Sequence, residues 1–217
     1  MKVLILGANG RIARLVENRV LTEDAFQDVE LTLYLRNKQR LQDLAENPRV
    51  SLIEGDIEDQ ERLVQAMTGV DLVFVATIDN VVENVMTKTI MRAMHLAGVS
   101  RVVTSSSIGI NHEGPNPVFI KWNEQMIGSQ LRGMHGADQL WKQSDLDYTT
   151  ARFAWLNDRD NLDYVVNHEN QPFAGGSGSR KSMADVILKI IHQPKLYVRE
   201  TIGVSDPSTK DATSVVY

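Results

Sequence analysis

Apolar residues in this chain fall into short unbroken runs that alternate with longer stretches of helical periodicity. The first run, Val3-Leu4-Ile5-Leu6, has no polar interruption and predicts a strand buried on both faces. Similar runs predict strands over 30–35, 50–54, 70–76, 101–105, 148–153 and 196–202. Between them, apolar residues at helical spacing predict helices over 12–21, 38–46, 58–68, 80–97, 124–143 and 181–192. This alternation implies an α/β fold, a Rossmann-like doubly wound parallel sheet, with ligands expected beyond the carboxyl ends of the strands.

Two stretches break the rhythm, 108–123 and 155–180, the second containing Gly175-Gly176-Ser177-Gly178-Ser179. Long irregular connections in a compact domain often carry function, so they are expected to wall a substrate pocket. With 217 residues, the chain suits one domain over 1–217 with a small substrate-loop region.

Composition narrows the function classes. The chain is 42% apolar and 24% charged, with a formal net charge of -5, and has no basic tract, which argues against nucleic acid as a partner. No apolar run has the length of a membrane span or the flanks of a signal peptide, so a soluble cytoplasmic protein is expected. The absence of cysteine removes disulfides and thiolate chemistry. His95, His112, His135, His168 and His192 show no metal-ligand spacing, so no metal is expected.

The densest chemical signal is Gly7-Ala8-Asn9-Gly10-Arg11-Ile12-Ala13, between the first strand and first helix. Gly7 suits a tight exit from the strand, Gly10 lets backbone N–H groups approach a pyrophosphate, and Ala13 lets the helix pack closely on the sheet. The new helix would direct its N-terminus at the phosphates.

The second strand ends Leu35-Arg36-Asn37, without the acidic residue that commonly receives a ribose 2′-hydroxyl. Arg36 can pair with a 2′-phosphate, with Arg11 approaching from the other side, which favours NADP(H) over NAD(H); a solvated basic strand end is the alternative. After the third strand, Asp56 of Gly55-Asp56-Ile57 could accept from an adenine amino group or cap the following helix. Ala76 and Thr77 end the fourth strand with small side chains beside which a dinucleotide can pass.

These landmarks, together with Arg101-Val102-Val103-Thr104-Ser105-Ser106-Ser107, Asp147-Tyr148-Thr149-Thr150-Ala151-Arg152-Phe153 and 179–187, resemble the atypical short-chain dehydrogenase/reductase superfamily. The similarity lies with its small NAD(P)H-binding branch, related to NmrA-like proteins and flavin/biliverdin-IXβ reductases, and spans essentially the whole chain. It implies a cofactor site that includes Gly7, Asn9, Gly10, Arg11, Ile12, Arg36, Asp56, Ile57, Ala76 and Thr77. It also implies that Ser107 hydrogen-bonds a substrate carbonyl and that Phe153 and Ala154 line the nicotinamide. Here Arg152-Phe153-Ala154-Trp155-Leu156 stands where relatives often have Arg-Pro-Gly-Trp-Leu.

The superfamily's Tyr-x-x-x-Lys pair is missing, because Gln130 and Met134 occupy the aligned positions and neither offers a proton at a useful pKa. An acceptor that asks little acid catalysis of the protein then fits best: a flavin, a quinone or an activated carbonyl. His112, His135, Lys121 and Tyr164 are the loop and helix candidates for a proton source, and Tyr148 reads as packing. The competing expectation is a non-catalytic NAD(P)(H)-sensing protein of NmrA type; sugar-nucleotide epimerase chemistry fits less well. The helices over 80–97 and 124–143 could pair in a homodimer or simply cover the sheet.

Overall fold

The computed structural model describes residues 1–217. β1 (Lys2–Leu6) leads through the glycine turn into α1 (Arg11–Thr22), followed by β2 (Glu30–Leu35), β3 (Val50–Glu54), α2 (Gln60–Met67) and β4 (Leu72–Val75). Next come α3 (Val85–Ala97), β5 (Arg101–Ser107), α4 (Pro117–Gln143), β6 (Asp147–Phe153), β7 (Trp155–Asn157), β8 (Val165–Asn167), β9 (Ser177–Ser179), α5 (Arg180–His192) and β10 (Glu200–Ser205).

The main sheet has the order β3-β2-β1-β4-β5-β6-β10-β8, parallel except for β8, which runs antiparallel to β10. The chain reverses its direction of travel across the sheet between β1 and β4, which opens a crevice at their carboxyl ends. Alternation along β1 feeds two cores. Val3 and Ile5 join Leu31, Leu33, Val16, Val20, Ile187 and Ile191 on one face, whereas Leu4 and Leu6 meet Leu63, Met67, Val73, Ile90 and Met94 on the other. No helix is long and apolar enough to cross a membrane.

Several elements depart from the sequence reading. The expected helix over 38–46 is a 3-10 segment, Lys38–Leu44, broken at Leu41, whose φ of -119° leaves the helical region. α3 begins at Val85 rather than near 80, because the preceding loop is held by its own contacts: the Asp79 carboxylate accepts from the Thr87 N–H and hydroxyl at 3.0 and 2.7 Å. α4 begins seven residues earlier than expected, at Pro117, with the Asn116 side chain capping the Phe119 N–H. The last strand starts at Glu200 rather than 196, because Tyr197 and Arg199 adopt left-handed φ values of 55° and 59°.

The 155–180 connection is not wholly irregular. β7 and β9 pair in parallel as a small second sheet, with Trp155 opposite Ser177. The first part of α4 lies against this region: Phe119 is fully buried and fills the space above Gly176, where a Cβ would meet its ring at 2.3 Å.

Candidate functional site

A cleft of about 620 Å³ opens at the β1/β4 switch point. Its walls come from the glycine turn (Gly7, Asn9, Gly10), the end of β2 and the 3-10 segment (Arg36, Asn37, Arg40), the turn after β3 (Gly55 to Glu58), and Thr77 and Met86. Gly7 adopts φ +82°, which disfavours other residues, and a Cβ on Gly10 would lie 3.2 Å from the Gly7 carbonyl oxygen and 3.6 Å from that of Ala76. The turn is therefore closed by backbone packing and presents a bare surface to the cleft.

The end of α1 adds electrostatics to that shape. α2, α4 and α5 have side-chain caps from Asp59, Asn116 and Ser179, and the first turn of α3 is served by Asp79. α1 alone has no side-chain acceptor at its N-terminus, where Gly10 is the N-cap, and no acidic residue in its first turn. Its free N–H groups and the positive end of its dipole are suited to a phosphate.

In the cleft that this helix end lines, Arg36 and Arg40 are exposed residues whose guanidinium groups enter no ion pair. By contrast, Arg14 of α1 is engaged by Glu17 at 3.1 Å and by Asp43 of the 3-10 segment at 2.5 Å, which ties that segment to α1. Arg40 was not singled out in the sequence. The 3-10 turn brings it to the same cleft as Arg36, a placement that an α-helical reading of this stretch does not convey.

Arg11 does not line the cleft: its guanidinium pairs with Asp158 at 2.7 Å, and Asp158 also holds Arg180 at 2.8 Å. The second arginine facing the cleft is thus Arg40 in place of Arg11. Asp56 does line the cleft, but it does not cap α2, since Asp59 does so. The Asp56 side chain instead accepts from the Glu58 N–H at 2.9 Å, and its carbonyl accepts from the Tyr34 hydroxyl at 2.8 Å. Burial pushes the Tyr34 phenol up to about 12, so it remains a donor that braces this turn.

Ile57 and Thr77 line the cleft, whereas Ile12 and Ala76 pack against the core behind the turn. Phe153 and Ala154 are buried at the end of β6; the Phe153 carbonyl accepts from Ile108 at 2.9 Å, and the Ala154 N–H donates to Val204 at 3.0 Å. Ser107 is half-buried at the end of β5, its hydroxyl donating to the Ile108 carbonyl at 3.3 Å. Ser107, Phe153 and Ala154 lie outside the 620 Å³ cleft; the Ile108 backbone joins Ser107 to Phe153, and Ala154 is tied to β10 through Val204.

Gln130 and Met134 face the same side of α4 as the β4–α3 loop. The Gln130 side chain accepts from Asn80 at 2.8 Å, and buried Met134 shares a small cavity with Thr77 and Ser106. Among the other proton candidates, the Tyr164 hydroxyl lies between Asp185 at 2.7 Å and Lys189 at 2.6 Å, and burial pushes it up to about 12. His112 pairs with Glu124, His135 donates from Nδ1 to the Ile110 carbonyl, and Lys121 is exposed. Tyr148 is buried within β6, as packing requires.

Comparison with known proteins matches this architecture. The NAD(P)H-binding family profile covers residues 7–194. A Rossmann-fold NAD(P)-binding family protein from Shigella flexneri is 32% identical, over 96% of this chain and 94% of that one, with a TM-score of 0.79. A short-chain dehydrogenase/reductase from Veillonella parvula, solved in complex with NADP, is 27% identical over 100% and 99% of the two chains, with a TM-score of 0.91. ChuY, an anaerobillin reductase from Escherichia coli O157:H7, shares the fold at 21% identity over 95% and 98%, with a TM-score of 0.79. No curated protein matches the chain. With its glycine turn, uncapped α1 and open switch-point cleft, the chain belongs to the NAD(P)H-binding family of Rossmann-fold, short-chain dehydrogenase/reductase-like proteins.

Proposed function

We propose that this protein is an NADPH-dependent oxidoreductase that delivers hydride to a small conjugated acceptor: a flavin, a quinone or an activated carbonyl. The observation that carries the reading is the pair of unengaged guanidinium groups, Arg36 and Arg40, in the cleft that the uncapped end of α1 also lines. Two cations free of carboxylates suit a 2′-phosphate, and the α1 N–H groups with the Gly7–Gly10 backbone suit a pyrophosphate. The NADP complex of the Veillonella relative agrees with this choice of dinucleotide.

When bound, NADPH supplies the hydride. Asn9, Ile57 and Thr77, which line the cleft, would hold it along its length, with Ala76 and Ile12 backing the turn, and Asp56 would accept from the adenine amino group. Phe153 and Ala154, at the end of β6, would flank the nicotinamide, and the Ser107 hydroxyl, which rests on the Ile108 carbonyl, would donate to a substrate oxygen. Gln130 and Met134 cannot relay a proton, so the acceptor draws its proton from solvent. The test is NADPH consumption with a panel of flavins, quinones and activated carbonyls. Turnover with at least one acceptor, lowered in Ser107→Ala, is the expected result, and no turnover with any of them removes the enzymatic reading.

The loss of the Tyr-Lys pair favours one other reading, a dinucleotide sensor that works through a protein partner. That reading requires partner recovery to differ between NADP⁺ and NADPH in the absence of turnover; equal recovery with and without dinucleotide removes it.

A further inference from the structure

On the flank of α4 turned away from the cofactor cleft lies a second cavity, of about 330 Å³. The β4–α3 loop covers the opposite flank: Asn80 bonds Gln130, the Asn84 amide donates to the Gly133 carbonyl at 2.9 Å, and a Cβ on Gly133 would lie 2.3 Å from Asn80 backbone atoms. Glu124, Gly128, Leu131 and His135 recur at helical spacing on the other side and, with Arg132, face the loop that follows β5. The cavity shares no lining residue with the cofactor cleft.

The cavity is built rather than incidental. Its loop wall contains Gly109 at φ 98° and His112 at φ 58°, the latter a conformation uncommon for a side-chain-bearing residue. The Glu113 carboxylate holds this wall in place, accepting from the Gly109 and Asn111 N–H groups at 3.2 and 2.6 Å and pairing with fully buried Arg152 at 2.9 Å. Buried Leu131 and Ile110 supply an apolar floor. Gly128 leaves space: a Cβ there would meet nothing within 4 Å.

Its polar groups have a definite chemistry. Arg132 is exposed and enters no ion pair, leaving its guanidinium free. The His135 Nδ1 faces two oxygens, the Ile110 carbonyl at 2.9 Å and Asn111 Oδ1 at 3.2 Å, so it carries the hydrogen. The His112 Nδ1 likewise faces the Glu124 carboxylate at 3.1 Å. In the neutral rings both Nε2 atoms are then hydrogen-bond acceptors. One free cation, adjacent imidazole acceptors and an apolar floor complement a monoanion with a neighbouring hydroxyl and an apolar body. We propose that this cavity is a second ligand site for a small 2-hydroxycarboxylic acid, with the carboxylate on Arg132, the hydroxyl donating to His135 Nε2 and the apolar body over Leu131 and Ile110.

The site lies outside the cofactor cleft, so its test does not depend on turnover. Mandelate is titrated into the full chain by calorimetry and ligand-observed NMR, with phenylacetate, which lacks the hydroxyl, as comparator. Expected are saturable mandelate binding at about millimolar affinity or tighter, weaker phenylacetate binding, and a loss of about tenfold or more in Arg132→Gln. Gly128→Leu fills the cavity from a position with open space, and it should abolish mandelate binding while leaving NADPH affinity unchanged. No saturable binding up to about 10 mM, binding that survives both substitutions, or displacement of mandelate by NADPH would overturn the site. Phenylacetate binding as tightly as mandelate would overturn its assignment to a hydroxy acid.

Discussion

The indole N–H of Trp155 donates to the side-chain oxygen of Asn123 at 2.7 Å, and the amide of the same asparagine donates to the Ile108 carbonyl at 3.2 Å. Asn123 is 1% exposed, so this one side chain ties α4 to β7 and to the residue that follows Ser107. Trp155 also packs on Trp122, with ring centroids 4.8 Å apart. Asn123→Ala removes the partner of a half-buried indole donor and one of two donors to the Ile108 carbonyl, at an expected cost of about 1–2 kcal/mol. Urea denaturation followed by tryptophan fluorescence measures it, and a loss under about 0.5 kcal/mol would show that the clamp carries no stability.

Gly10 tests the shape of the phosphate cradle. Its backbone, at φ -66° and ψ 149°, is open to any residue, so Gly10→Ala introduces no strain of that kind. The added Cβ sits 3.2 Å from the Gly7 oxygen, at the surface the dinucleotide must approach. Affinity for NADPH and NADH should both fall by about tenfold, as the turn shifts to make room for the Cβ. Unaltered affinity for both would move the pyrophosphate away from this turn.

Glu17 gives the fold a pH dependence. It is buried on α1, and burial raises its carboxyl from 4.5 to about 7 against the opposing pull of Arg14. Below about pH 4.5 the folded and unfolded forms are both protonated at this position. Between that value and about 7 the unfolded chain releases the proton and the folded chain retains it, so this stabilising contribution is lost as pH rises. The loss is at most about 3 kcal/mol. Glu17→Gln should gain stability relative to the native protein between about pH 5 and about pH 8, as measured by denaturant unfolding. A constant difference between the two across that range would contradict the shift.

Much of this architecture was legible because parallel strands buried on both faces read as plain apolar runs, as in Val3 to Leu6 and Leu72 to Val75. The glycine turn was legible because Gly7 and Gly10 answer local steric demands. Arg40 was not, since periodicity does not distinguish a broken 3-10 segment from an α-helix when the break falls on an ordinary residue such as Leu41. Nor could spacing reveal that Arg11 is drawn to Asp158, 147 positions further along the chain. The early start of α4 did have a local signal, Asn116 before Pro117, which the irregular look of 108–123 concealed.

The most direct measurement of the central claim compares NADPH and NADH affinities, by nucleotide fluorescence at fixed ionic strength, in the native protein and in an Arg36→Ala, Arg40→Ala double variant. The native protein should bind NADPH at least about tenfold more tightly, and the double variant should lose that preference by weakening for NADPH while NADH affinity stays nearly constant. Equal affinity for the two dinucleotides in the native protein, or a preference that survives the loss of both arginines, would contradict it.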